Sequence, residues 1–354
     1  MVKRLCTFVL AASVISTSIN LFADTRADAH APIGVMGDHK HHRGEFMFSY
    51  RYMHMSMDGN KDGNDDLNVS EVLSPTDFNY LVSPVDMEMD MHMLGLMYAP
   101  THRLTLMAMV NIIDLSMDHQ LRDAIVMMNP GIDSNRFTTT SDGFGDTTLG
   151  GIYELSSNDG ASWLLNFALS IPTGSIDEED IIPTLSTDED SQLPFPMQIG
   201  SGTYDLIPGI TYTQLNSDTS WGWQAKATLR LGDNDNGYTK GDRVEAQIWH
   251  AWLLNGHTSL STRIGIANWG DYDGLDEEQA LPVFNGMVNA NTVPTIDPSI
   301  RGGTQSDFAV GINTVFGGSD HRIAAEVAYP FWHDLDGPQL ATDLTFTLGY
   351  QIAF

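Results

Sequence analysis

The sequence is nearly free of cysteine. Its single example, Cys6, lies in the leader region, so the rest of the chain has neither a disulfide nor a thiolate site open to it. Positive charge is scarce too: 17 Lys and Arg stand against 46 Asp and Glu, a net charge of −29. That balance excludes nucleic acid, whose phosphates need a basic footprint. After the leader there is no run of 18 apolar residues, so no helix is expected to cross a bilayer. The short motifs of catalysis are also missing: no G-x-S-x-G, H-E-x-x-H, Walker loop or dinucleotide fingerprint occurs. His250 and His257 have no recognisable serine partner, and no enzyme activity is expected.

What the chain does have begins with a secretory leader. Lys3 and Arg4 precede the apolar run LCTFVLAASVISTSINLFA, and Ala27-Asp28-Ala29 offers a small-x-small cleavage site. Residues 1–29 are therefore expected to be a signal peptide. The next stretch, HAPIGVMGDHKHHRG (30–44), has no strand pattern and reads as a flexible periplasmic arm. Residues 45–354 are expected to form one domain.

Within that domain methionine recurs at every second position: Met53, Met55, Met57; Met87, Met89, Met91, Met93; Met107, Met109. A period of two places side chains on one face of a strand, whereas a helix needs spacings of three and four. Similar alternation predicts twelve strands, at 45–57, 87–99, 103–114, 144–155, 162–172, 203–214, 220–231, 242–254, 257–269, 306–316, 321–332 and 342–354. Short and long connections alternate between them, which is the rhythm of periplasmic turns and outward loops. A mean hydropathy of −0.15 suits a barrel with a polar lumen. The expected fold is all-β: a single antiparallel transmembrane barrel of about twelve strands in the outer membrane of a Gram-negative bacterium, in contact with lipid and lipopolysaccharide.

The last strand, ATDLTFTLGYQIAF, alternates apolar with small or polar residues. It ends on Phe354, in the manner of the signal that outer-membrane assembly machinery reads. By the same parity Arg51, Lys226, Arg230, Arg243, Glu245 and Arg263 are expected to line a watery lumen. Tyr50, Tyr52, Tyr98, Trp221, Trp223, Trp249 and Trp252 are candidates for the interfacial aromatic girdles.

Arg51 is hard to place in lipid, so its face, with the methionines, is expected to point inward. That leaves Glu88, Asp90 and His92 outside, which requires their end of the strand to project above the membrane. Fifteen of the 18 methionines fall between residues 36 and 128, and eight of the 12 histidines between 30 and 119. Thioether and imidazole together suit a soft metal, above all Cu(I). Methionine that fills irregular space, or that lines an adaptable apolar lumen, is the other reading. In the arm, His30, His39, His41 and His42 are candidate ligands for Cu(II) or Zn(II), and cleavage after Ala29 would add the α-amino group of His30. The loop Asp58, Asn60, Asp62, Asn64, Asp66 matches the first half of a calcium loop, with Gly63 at the turn, but Val69 occupies the place of the bidentate Glu. Weak external Ca²⁺ binding is the expectation there.

Several stretches resemble the bacterial outer-membrane family labelled "MetA-pathway of phenol degradation": GDHKHHRGEFMFSYRYMHM, MEMDMHMLGLMYAP, LSIPTGSID, PMQIGSGTYDLIPGITY and HDLDGPQL. The resemblance covers nearly the whole chain after the leader, and Gly200–Asp205 is its most family-like part. It implies a barrel porin or transporter for small molecules, aromatic or hydrophobic by analogy. Copper binding or passage along the Met/His face, and a structural barrel that transports nothing, remain the alternatives.

Overall fold

The computed structural model describes residues 26–129, 131–183, 189–276, 279, 283–284, 287–288, 292–316 and 320–354. The expected leader therefore lies outside the described residues as far as residue 25. The fold is all-β, and its centre is a closed antiparallel barrel. Eleven continuous strands form the ring: β1 Phe46–Gly63, β2 Val82–Tyr98, β3 Leu104–Leu121, β4 Thr147–Asn158, β5 Ala161–Ile171, β6 Tyr204–Leu215, β7 Thr219–Leu231, β8 Arg243–Asn255, β9 Thr258–Trp269, β10 Gly303–Phe316 and β11 His321–Ala353. Each pairs with the next in sequence, and β11 closes the ring on β1. Two further strands, Asp65–Leu67 and Arg136–Phe144, extend the sheet outside the ring.

An odd number of strands cannot all run antiparallel around a closed ring. β11 resolves the conflict. Its first half pairs with β10, from Phe316↔His321 to Gly303↔Leu335. Its second half pairs with β1, from Lys61↔Gln339 to Met47↔Ala353. Both pairings are antiparallel, so the chain reverses between the halves, near Gly337 at φ +120°. The two strands expected at 321–332 and 342–354 are thus one uninterrupted element.

The outer face explains why this sequence closes into a barrel. Phe48, Leu96, Leu106, Leu149, Phe167, Leu206, Leu229, Ile248, Ile264, Val310, Val327 and Leu348 all point outward and are exposed. An apolar belt on every strand is far larger than a water-soluble surface carries, and it suits lipid. No helix among the described residues is long and apolar enough to span a membrane. The start of β1 meets the end of β11 at one rim, where the Phe46 and Phe354 backbones bond reciprocally at 2.8 Å. The Phe46 ring stacks there between Tyr98 and Phe354, with centroids 4.4 and 6.0 Å away.

β1, β2 and β3 run longer than the alternation predicted, because they continue past the belt. Above Leu94 the outward side chains turn polar and satisfy one another. Tyr50 Oη lies 2.7 Å from His92 Nδ1, Tyr52 Oη donates to Asp90 Oδ1 at 2.6 Å, and His54 Nδ1 lies 2.9 Å from the same oxygen. One girdle expectation is corrected. Trp249 shares parity with Arg243 and Glu245, so it points into the lumen and is 3% exposed.

At the expected calcium loop, residues 60–67 form a tight hairpin, with Asn60↔Leu67, Lys61↔Asp66 and Asp62↔Asp65 paired. Lys61 is ion-paired to Asp66, and the buried Asn60 amide donates to Pro84 O at 2.8 Å.

Candidate functional site in the barrel lumen

The arm expected to be flexible is instead a plug inside the barrel. Four walls hold it through hydrogen bonds to its backbone. Arg322 Nη2 of β11 donates to Ala31 O at 2.7 Å, and Gln224 Nε2 of β7 donates to Met36 O at 2.8 Å. Asn166 Nδ2 of β5 donates to Gly37 O at 2.7 Å, and His41 N donates to Thr105 Oγ1 of β3 at 3.0 Å. Lys40 adds an ion pair to Glu154 at 2.7 Å. A polar segment can enter the lumen where its buried carbonyls find donors, as those of Ala31, Met36 and Gly37 do on the wall. Ala31 and Val35 pack with Trp249, and Ile33 is 2% exposed.

The plug brings most of the arm's histidines together. The His30 and His39 rings lie 4.6 Å apart, and those of His39 and His41 5.0 Å apart, both edge-on. His30, Asp38 and His39 each offer a ligand atom within 4.8 Å of the others. Asp38 Oδ1 lies 2.9 Å from His39 Nδ1, and Glu45 Oε1 lies 3.0 Å from His41 Nδ1. His42, named from sequence as a ligand, is exposed and outside this group. Burial holds His30 well below the ordinary histidine pKa, with Arg322 and His39 adding to the shift. Burial also lowers His41, against the pull of Glu45. Burial alone would raise Asp38, but His39 and Arg322 override it and hold the carboxylate ionised. A cavity of about 300 Å³ opens beside the group, lined in part by Glu45, Met47, Trp221 and Gln351.

The methionine wall lies in register on the inner face. Met53 pairs with Met91, Met55 with Met89, and Met57 with Met87; Met97 faces Met107 on β3. Its lower part, including Met47, Met93, Met107 and Met109, surrounds the plug residues Met36, Asp38 and His39. Its upper part packs against an inward-folded connection between β5 and β6. There Met87 and Met117 join Leu193, Met197 and Ile199, with Met57, Met89 and Met91 against them.

Beyond that packing is a second cavity of about 270 Å³. Apolar and aromatic groups line it (Met57, Met87, Met117, Trp269, Tyr272, Leu340), together with Arg230, Lys240, Arg243 and Arg301. No carboxylate is among its described lining residues. Arg243 stands 5.0 Å from the Trp269 ring centroid. Arg301 is 7% exposed, and its Nε and one terminal nitrogen are buried without a partner among the described residues. Burial lowers the Lys240 ammonium to about 8, helped by Arg230, while Nζ donates to Gly200 O at 2.6 Å.

Several other lumenal charges are paired. Arg263 bonds Asp307 at 2.9 Å and Glu326 at 2.7 Å. Lys226 and Arg243 share Glu245, at 3.1 and 3.3 Å. Arg230 pairs with Asp205, and Arg51 sits inside next to Gly349. Sequence reasoning missed Lys240, Arg301, Arg322, Asp307 and Glu326. Parity was a usable signal for the three on strands. Lys240 and Arg301 belong to connections, where no periodicity points the way.

No family model matches the chain, and neither does any curated protein. Solved structures do. A COG4313 outer membrane channel from Pseudomonas putida F1 superposes with a TM-score of 0.57 at 15% identity, covering 90% of this chain and 98% of that one. The P. putida toluene transporter TodX aligns at 0.45 and 12% identity, over 88% and 90% of the two chains. A Pseudomonas aeruginosa FadL homologue aligns at 0.40 and 12%, over 87% and 90%. The first of these likenesses, nearly complete for both chains, shows the fold to be that of an outer-membrane channel barrel.

Proposed function

We propose that this chain is an outer-membrane channel of a Gram-negative bacterium and that it passes small apolar or aromatic solutes. The observation that carries the reading is the upper cavity: a space inside a lipid-belted barrel, lined by thioether, indole and phenol alongside four basic side chains. Such a lining binds apolar and aromatic molecules through area and ring contacts without demanding one shape. The fold shared with the P. putida F1 channel adds to the reading.

The test is transport in a defined membrane. Purified protein in planar bilayers is expected to conduct ions in discrete steps, and proteoliposomes to take up a small aromatic solute faster than protein-free vesicles. A silent bilayer together with no gain in uptake would leave a purely structural barrel. Passage of Cu(I) is the second reading, favoured by the four directly opposed methionine pairs on β1 and β2. Changing Met87, Met89, Met91 and Met93 to Leu is expected to abolish protection from added copper if that reading holds. Equal protection in the variant removes it.

A further inference from the structure

We infer that the plug carries a binding site for one divalent transition-metal ion of the Zn(II)/Cu(II) class, held by His30, Asp38 and His39 with His41 as the adjacent donor. The site is independent of any solute the barrel passes.

Three buried imidazole nitrogens in this group have no hydrogen-bond partner among the described residues: His30 Nδ1, His39 Nε2 and His41 Nε2. Leaving such atoms unpaired is costly, so three side by side call for a common partner. One of the rings is already braced: Glu45 holds His41 by its Nδ1. A carboxylate on one ring nitrogen fixes the tautomer that leaves the other nitrogen's lone pair free, which is the usual outer arrangement behind a metal-bound histidine.

Donor chemistry selects the ion. Imidazole nitrogen with one carboxylate suits Zn(II), Cu(II) or Ni(II); Ca²⁺ wants an all-oxygen shell and Cu(I) prefers thioether or thiolate. The methionine wall is the softer donor set, so the two metal readings separate by oxidation state. Size also fits. Metal–nitrogen bonds of ~2.0–2.1 Å place tetrahedral ligands ~3.4 Å apart. Atoms already within 4.8 Å reach that by small side-chain rotations. Asp38 and Glu45 offset the positive charge of Arg322, whose guanidinium bonds Ala31 O beside the group. The ion would clip residue 30 to residues 38–41 and so staple the plug into a closed loop.

The experiment uses the full chain, untagged, purified from outer membranes, stripped with chelator and then loaded with Zn(II) or Cu(II) before desalting. One ion per chain is expected by elemental analysis, and the Cu(II) form is expected to show nitrogen superhyperfine structure by electron paramagnetic resonance. His30→Ala and His39→Ala should each weaken retention at least tenfold, and Asp38→Asn should do so to a smaller degree. His42→Ala and Met89→Leu should retain the ion as the parent does. Folding of each variant is read from its heat-modifiable gel mobility; should an Ala variant misfold, His39→Gln takes its place. No retained ion in the parent, or equal retention in His30→Ala and His39→Ala, overturns the proposal.

Discussion

At the scale of single residues the plug depends on close approach. Gly37 has φ +74°, and a Cβ there would lie 2.6 Å from Asn166 Nδ2, so only glycine lets this carbonyl meet its donor. Gly349 does the same on β11: a Cβ would stand 2.6 Å from Ile33 Cδ1. Gly349→Val is therefore expected to push the plug off its seat without disturbing the lipid face. Overpacking of this kind costs about 1–3 kcal/mol, which shifts the docked fraction by about 5- to 150-fold. Higher single-channel conductance and faster protease cleavage near residues 30–44 should report it; parental values in both assays would show that Ile33 holds nothing in place. The histidines show what sequence does and does not reveal at this scale. Their abundance is visible as composition. Their convergence is not, because which ring nitrogen stays free depends on Asp38 and Glu45, and the ring positions depend on hydrogen bonds from four separate strands.

At the scale of elements, the strands were legible wherever lipid lies on one side and the lumen on the other, since each strand then alternates strictly. The continuations of β1 to Gly63 and β3 to Leu121, and the strand Arg136–Phe144, were not. Past the belt the outer face turns polar while the inner face stays apolar, as Leu115, Met117 and Leu121 alternate with Ser116, Asp118 and Gln120, so a rule that looks for apolar residues facing lipid no longer marks the strand. The plug was invisible for a related reason: an arm without periodicity reads as free chain until the wall supplies its partners. Its acid–base groups give it a testable behaviour. His30 and His41 are held below the ordinary histidine pKa when docked. A released arm titrates near ~6.5, so below that pH it binds more protons than the docked one. Docking is therefore strongest above ~6.5 and weakens as pH falls from there through the depressed values. Asp38 and Glu45 are also lowered, so their loss comes later, below the usual carboxylate range. Conductance is expected to rise between pH 7.5 and pH 5, and the rise should shrink in His41→Ala. Identical traces at both pH values would contradict this.

At the scale of the whole molecule, charge is segregated. The −29 net charge is carried in part by outward carboxylates that face one another across strands: Asp58 with Asp86, Asp86 with Asp118, and Asp90 with Asp114, which also faces Asp142. Like charges directly opposite are destabilising, so added salt should raise the melting temperature through screening. The upper cavity has the opposite sign. Arg230 and Arg243 there have carboxylate partners in Asp205 and Glu245, while Lys240 and Arg301 form no ion pair among the described residues. A low-dielectric passage focuses the field of such charges. The pore is therefore expected to prefer anions, although the protein as a whole is acidic, and the apolar solutes it favours would include those carrying a carboxylate. Reversal potentials under a KCl gradient measure this. Chloride selectivity should fall in Arg301→Ala, and in the parent it should decline as pH rises through about 8, where Lys240 loses its proton. Cation selectivity at neutral pH would mean that the acidic rim, not the cavity, governs the passage.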